Sequence, residues 1–200
     1  MMLAKDFRNL AWSRLSGKWK NPVLVTLIYL AIAMGVSSVT AVGWIAAIII
    51  SGPLAIGYYA VALKIFAEEP IELPMLFDGF KNFTNSFFLY FTNQLFVFLW
   101  SLLLIVPGIV KQYAYSMSYY IMIENPGMSP TEARLQSQIM MQGNKWRLFC
   151  LDFSFLGWII LSGLTLGILT LWIMPYMETA HAAFYNEIKN GTFYKVDIDE

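Results

Sequence analysis

Few residues in this 200-residue chain could do chemistry, and three of them fall in its last quarter: Asp152, Glu178 and His181. Glu178 and His181 are three apart, the Glu-x-x-His spacing that puts both side chains on one helix face and that carboxylate–histidine metal sites use. Asp152 sits on the preceding apolar tract, which would run antiparallel to theirs. Counted at about 1.5 Å per residue, all three lie roughly 13–20 Å from the turn between the two tracts. Together they could bind a cation, relay protons or grip a polar headgroup. They could equally form a network of ion pairs near a membrane surface with Lys145, Arg147 or Lys189, and that plainer alternative carries more weight. A buried carboxylate needs a donor or it takes up a proton. His181 and Tyr176 are the donors expected for Asp152, with Leu151, Phe153 and Phe155 turned to lipid. Glu124 and Lys111 are marginal members of the set. Whether a metal binds there stays open.

Other chemistries are largely excluded. His181 is the single histidine, so a Ser-His-Asp triad has no other base to use, and Cys150 is the single cysteine, so no intrachain disulfide or multi-thiolate site can form. No Walker loop, Gly-x-Gly-x-x-Gly, His-Glu-x-x-His or Gly-x-Ser-x-Gly motif occurs. The formal net charge is zero, which argues against nucleic acid held by a broad basic face. No cofactor is expected, and an enzyme is not the favoured reading.

The elements that must position these residues are apolar. Hydrophobic residues make up 58% of the chain and charged ones 13%, against roughly 45–50% and 25% in soluble domains. Lipid must therefore solvate part of the surface. Six apolar stretches stand out: 22–37, 42–66 (interrupted at Gly52-Pro53), 87–106 (ended by Pro107-Gly108), 109–123, and two within 146–188 divided around 161–167. The expected fold is an all-α polytopic transmembrane bundle of six spans arranged as three hairpins. In that arrangement 12 of the 13 basic residues fall on one side, leaving Lys111 opposite. The positive-inside rule then places both termini in the cytoplasm. Residues 1–188 would form one membrane domain and 189–200 a short cytoplasmic tail.

A short interfacial amphipathic helix is expected before each hairpin. Leu3, Phe7, Leu10 and Ala11 make a helical stripe in the first. Ser129, Pro130 and Glu132 make a capping box that opens the third, and Gly143 closes it. Each such helix is followed by a glycine and a lysine, then an aromatic residue: Gly17-Lys18-Trp19, Gly79 to Lys81 and Phe83, and Gly143 to Lys145 and Trp146. Trp19, Lys81, Phe83, Lys145 and Trp146 are thus the interface anchors. The pattern suggests a pseudo-threefold repeat of residues 3–66, 73–124 and 130–188, although lysine and aromatic anchors are generic to any inner-leaflet entry.

The runs Leu104 to Met117, Glu124-Asn125-Pro126, Gly143 to Phe149 and Asp152 to Trp158 resemble the bacterial family of integral membrane proteins known as domain of unknown function nine-seven-five. The family is distantly similar to the membrane domain of some glycerophosphodiester phosphodiesterases. The resemblance implies a multi-pass protein of a bacterial plasma membrane and supplies no activity, cofactor or catalytic residue. Membrane lipids are the expected partners, with a cytoplasmic-side protein as another. Three function classes follow: a non-enzymatic scaffold or accessory protein, which is favoured; a small transporter or lipid-handling protein; and an intramembrane enzyme. The second needs a polar route between hairpins, for which Asn93, Gln94, Lys111 and Gln112 are the outer-half candidates.

Overall fold

A computed structural model describes residues 2–37 and 41–196. They form ten α-helices and one 3-10 segment, with no strand among the described residues: α1 (Ala4–Leu15), α2 (Lys20–Ser37), α3 (Ala41–Phe66), the 3-10 segment (Leu73–Asn82), α4 (Phe83–Leu103), α5 (Ile105–Tyr115), α6 (Ser118–Glu124), α7 (Pro130–Met140), α8 (Lys145–Phe153), α9 (Leu156–Leu164) and α10 (Thr170–Val196). The all-α class is as the composition predicts. The tail boundary expected at residue 188 falls inside α10.

Three helical stretches are long and apolar enough to cross a membrane: Ile45–Phe66, Leu73–Leu103 and Lys145–Leu164. Six spans are not supported. The described apolar part of α2, Lys20–Gly35, is shorter. The fourth apolar stretch is divided between two short helices, since α5 stops at Tyr115 and α6 begins at Ser118. The last helix is long, but Glu178, His181, Asn186 and Glu187 interrupt its apolar run.

Local sequence explains most boundaries. Ser129 Oγ accepts from the Glu132 amide at 3.3 Å and Glu132 Oε2 accepts from the Ser129 amide at 2.9 Å, so α7 opens with the expected capping box. The third apolar stretch ends earlier than Pro107-Gly108. Leu104 is extended (φ −159°, ψ 140°), and Pro107 sits in the first turn of α5, where its missing N–H leaves no bond unmade. Gly52-Pro53 does not interrupt α3, which runs through Pro53 unbroken. The backbone of the 3-10 segment lies directly on that helix: a Cβ at Gly57 would overlap the Leu76 carbonyl, and one at Gly79 the Pro53 carbonyl. Small residues allow such close approach, and dispersion between the two backbones holds it.

The N-terminal helix is not an isolated interfacial helix. Its stripe packs against α10, with Phe7, Ala11 and Leu15 buried and Phe7 edge-on to Phe184 at 5.3 Å. Only Leu3 of the expected stripe is strongly exposed. Polar ties lock it down: Arg8 Nη1 donates to the Ser154 carbonyl at 2.7 Å, at the break between α8 and α9, and the Met2 amide donates to Glu187 Oε1 at 2.9 Å. Ion pairs gather at this end of the bundle, joining Arg14 to Glu68, Lys64 to Glu69, Arg147 to Glu187 and Lys189 to Glu124. The turns between α4 and α5 and between α9 and α10 are instead apolar and exposed, with Leu104 at 68% and Leu166 at 94% exposure.

Candidate functional site

Asp152, Glu178 and His181 come together. Asp152 projects from the last turn of α8, and the other two from adjacent turns of α10. His181 Nε2 lies 2.6 Å from Asp152 Oδ1, and its Nδ1 lies 3.6 Å from Glu178 Oε2. A neutral imidazole has one N–H and can serve only one of two flanking carboxylates, whereas an imidazolium can serve both. Asp152 Oδ2 accepts a second bond from Tyr113 Oη at 2.9 Å, and Glu178 Oε2 accepts from Tyr120 Oη at 3.2 Å.

Tyr113 was not expected in this role. The expected donor, Tyr176, packs edge-on against Phe155 at 5.0 Å and Trp12 at 5.7 Å. The lipid-facing set also needs correction. Phe153 is exposed, but Leu151 and Phe155, four residues apart on one helical face with Leu148, are fully buried. Arg147 and Lys189 do not reach the cluster; they pair with Glu187 and Glu124 instead. Among the described residues no group of three or more His, Cys, Asp or Glu is arranged to hold a metal ion.

The cluster forms one wall of a cavity of about 660 Å³ that draws residues from α2, α3, α4, α5, α6, α8 and α10. Asn93, Gln94 and Gln112 line it too, while Lys111 does not: its ammonium lies 5.2 Å from the Trp100 ring centroid. Tyrosines make up much of the remaining wall. Tyr59 stacks on Tyr119 at 4.9 Å and meets Tyr120 edge-on at 5.2 Å, and Tyr29 and Tyr58 pack at 4.9 Å. Asn93 is 2% exposed; its amide donates to Ser118 Oγ at 2.8 Å, and its Oδ1 has no hydrogen-bond partner. The tryptophans give no sign of this wall. The signal present was tyrosine recurring inside apolar stretches, at 58–59, 113, 115 and 119–120.

The expected interface anchors each have local surroundings of their own. Trp19 packs edge-on to Trp12 at 5.4 Å, Lys81 pairs with Asp78 at 2.7 Å, and Phe83 stacks on Phe87 at 6.2 Å. Trp146 is exposed and stacks on Phe149 at 5.0 Å, and Lys145 is partly buried. Gly17 (φ 76°) and Gly143 (φ 75°) follow α1 and α7 in the left-handed conformation expected of helix-ending glycines. Gly79 departs from the pattern, lying inside the 3-10 segment against Pro53.

The fold and cavity define an all-helical protein with three stretches able to cross a membrane and a polar, tyrosine-walled chamber between its helices. One family model matches residues 1–111 and again 102–192, and the chain belongs to that family, described as "Protein of unknown function (DUF975)". No curated protein and no solved structure matches it.

Proposed function

We propose that this is an integral membrane protein that binds a polar small molecule or lipid headgroup in its central cavity. The observation that carries the reading is the convergence of Asp152, Glu178 and His181 on a cavity of about 660 Å³, a volume in the usual range of about 300–1,000 Å³ for ligand sites. Ionisable groups are costly in apolar helices and tend to mark binding sites or conduction paths. A pure scaffold, the role favoured from sequence, has no need of such a chamber. Transport or lipid handling does, and Asn93, Gln94 and Gln112 extend the polar lining beyond the acidic cluster. Catalysis is less well supported, since the serine hydroxyl on the cavity, Ser116 Oγ, donates to the Tyr113 carbonyl at 2.8 Å. The ion-paired end is the one assigned to the cytoplasm by its basic residues, in the plasma membrane of a bacterium. The three units of a helix followed by a hairpin are read as a pseudo-threefold repeat on their order alone.

Two measurements test this. The protein should resist carbonate extraction from membranes. In detergent, a thermal-stability screen of cationic, anionic, zwitterionic and uncharged solutes and short-chain phospholipids should reveal a stabilising class. That stabilisation should disappear in Val97→Trp, which fills the cavity. A screen in which nothing separates wild type from Val97→Trp would refute the binding role.

A further inference from the structure

The cavity's lining points to the kind of ligand it takes. We propose that the occupant carries an organic ammonium group, held between the Asp152–Glu178 carboxylates and the tyrosine faces; this rests on the binding role above. No lysine or arginine lines the cavity, although seven helices contribute to it. A phosphate or carboxylate would therefore meet no fixed cation except His181, which two carboxylates already flank. With His181 as the imidazolium that serves both, one negative charge remains uncompensated. A ligand cation neutralises it at side chains that are only partly open to water.

The rest of the wall suits the same group. Tyrosine rings present a negative face that attracts ammonium, and several rings around one space make an aromatic cage. Tyr59 holds one face against Tyr119 and meets Tyr120 edge-on, and it lines the cavity with Tyr29, Tyr90 and Tyr113.

The chemistry could reach the cavity as a free amine or as the headgroup of an amine-bearing phospholipid. Calorimetry on the purified full chain in detergent separates these. The dissolved probes are choline, ethanolamine, the uncharged tert-butyl isostere of choline, and glycerol phosphate. The lipid probes are short-chain phosphatidylethanolamine and phosphatidylglycerol. Binding of choline or ethanolamine but not of the isostere supports the proposal with a free ligand. Binding of phosphatidylethanolamine alone supports it with a lipid source. Glu178→Gln should then weaken binding about tenfold or more, as expected for one charge-assisted contact. Tyr59→Leu should weaken it roughly two- to thirtyfold through the lost ring face. Equal or tighter binding of the isostere, glycerol phosphate or phosphatidylglycerol would overturn the ammonium assignment and leave the binding role standing. If no probe binds, and the wider solute screen is also empty, both fail. The comparison among probes uses wild-type protein, so it does not depend on either variant folding.

Discussion

The bond from Tyr113 to Asp152 ties α5 to α8 and aims the carboxylate that the site depends on, so removing it should be measurable both alone and as a coupling. Tyr113→Phe deletes one hydroxyl donor and little else. A hydrogen bond to a charged acceptor is worth about 1.5–3 kcal/mol. The Asp152 side chain is 29% exposed, so water will replace part of the donor and the lower figure applies. Asp152→Ala loses the bonds at 2.9 Å and 2.6 Å together, and should cost about twice as much. In the double variant the Tyr113 loss has already been counted, which gives a coupling of about 1–1.5 kcal/mol. Reversible unfolding by SDS in mixed micelles, followed by tryptophan fluorescence, measures all three variants. Tyr176→Phe is the control, since Tyr176 packs against Trp12 and Phe155, and it should show no coupling to Asp152. A Tyr113–Asp152 coupling below about 0.5 kcal/mol, or a larger one for Tyr176, would refute the assignment of the donor.

Three further outcomes are expected. Gly57→Ala drives a methyl group into the Leu76 carbonyl and should destabilise by about 1–3 kcal/mol or more in the same SDS assay; wild-type stability would mean that α3 and the 3-10 segment do not touch. The Ser129 hydroxyl and amide hold the Glu132 carboxyl below its usual value, so the cap's contribution is present above an unfolded value of about 4.3 and is lost as pH falls through the lower folded one. Protection of the amides across residues 130–140, taken relative to the intrinsic exchange rate at each pH, should accordingly fall on acidification in wild type, with Glu132→Gln removing that dependence; an unchanged profile would mean the box is not formed. In a Cys150→Ser background, Leu104→Cys and Leu166→Cys should react with an impermeant thiol reagent from the face opposite the ion-paired end. These exposed turn positions are better probes than Gly108, which packs on Ser101, or Ser162, which is buried beside Thr170. Labelling only from the ion-paired side would break the proposed orientation.

The parts of the fold that were legible in the sequence are those set by local chemistry. Ser129, Pro130 and Glu132 define a helix start whose donors and acceptors all lie within four residues, so α7 could be placed from its cap. Longer-range features were not accessible in that way. The stripe of Phe7 and Ala11 shows which face of α1 is apolar, but lipid and α10 are equally good at covering it. Pro53 looked like an interruption because a proline lacks one helix bond. The close contact of α3 with the 3-10 segment, through Gly57 and Gly79, is a tertiary interaction with no sequence signature beyond the glycines themselves.

The site shows the same division and connects it to the number of spans. An antiparallel hairpin with a glycine turn brings residues equally far from that turn to one level, which is why Asp152, Glu178 and His181 could be brought together by counting. Rotation about each helix axis is not fixed by counting, so the donor to Asp152 came from α5 rather than from Tyr176 on α10. The polar residues that line the cavity are also among those that keep α10 from being apolar enough to cross a bilayer by itself. His181 and Glu178 find their partners in Asp152 of α8 and Tyr120 of α6, which offsets the cost of placing ionisable groups among apolar helices. Tyr113 of α5 and Tyr120 of α6, seven residues apart, fall on one helical face and line the cavity together with Tyr119. The departure of α10 from an ideal span and the polar wall of the chamber thus have one cause, in Glu178 and His181.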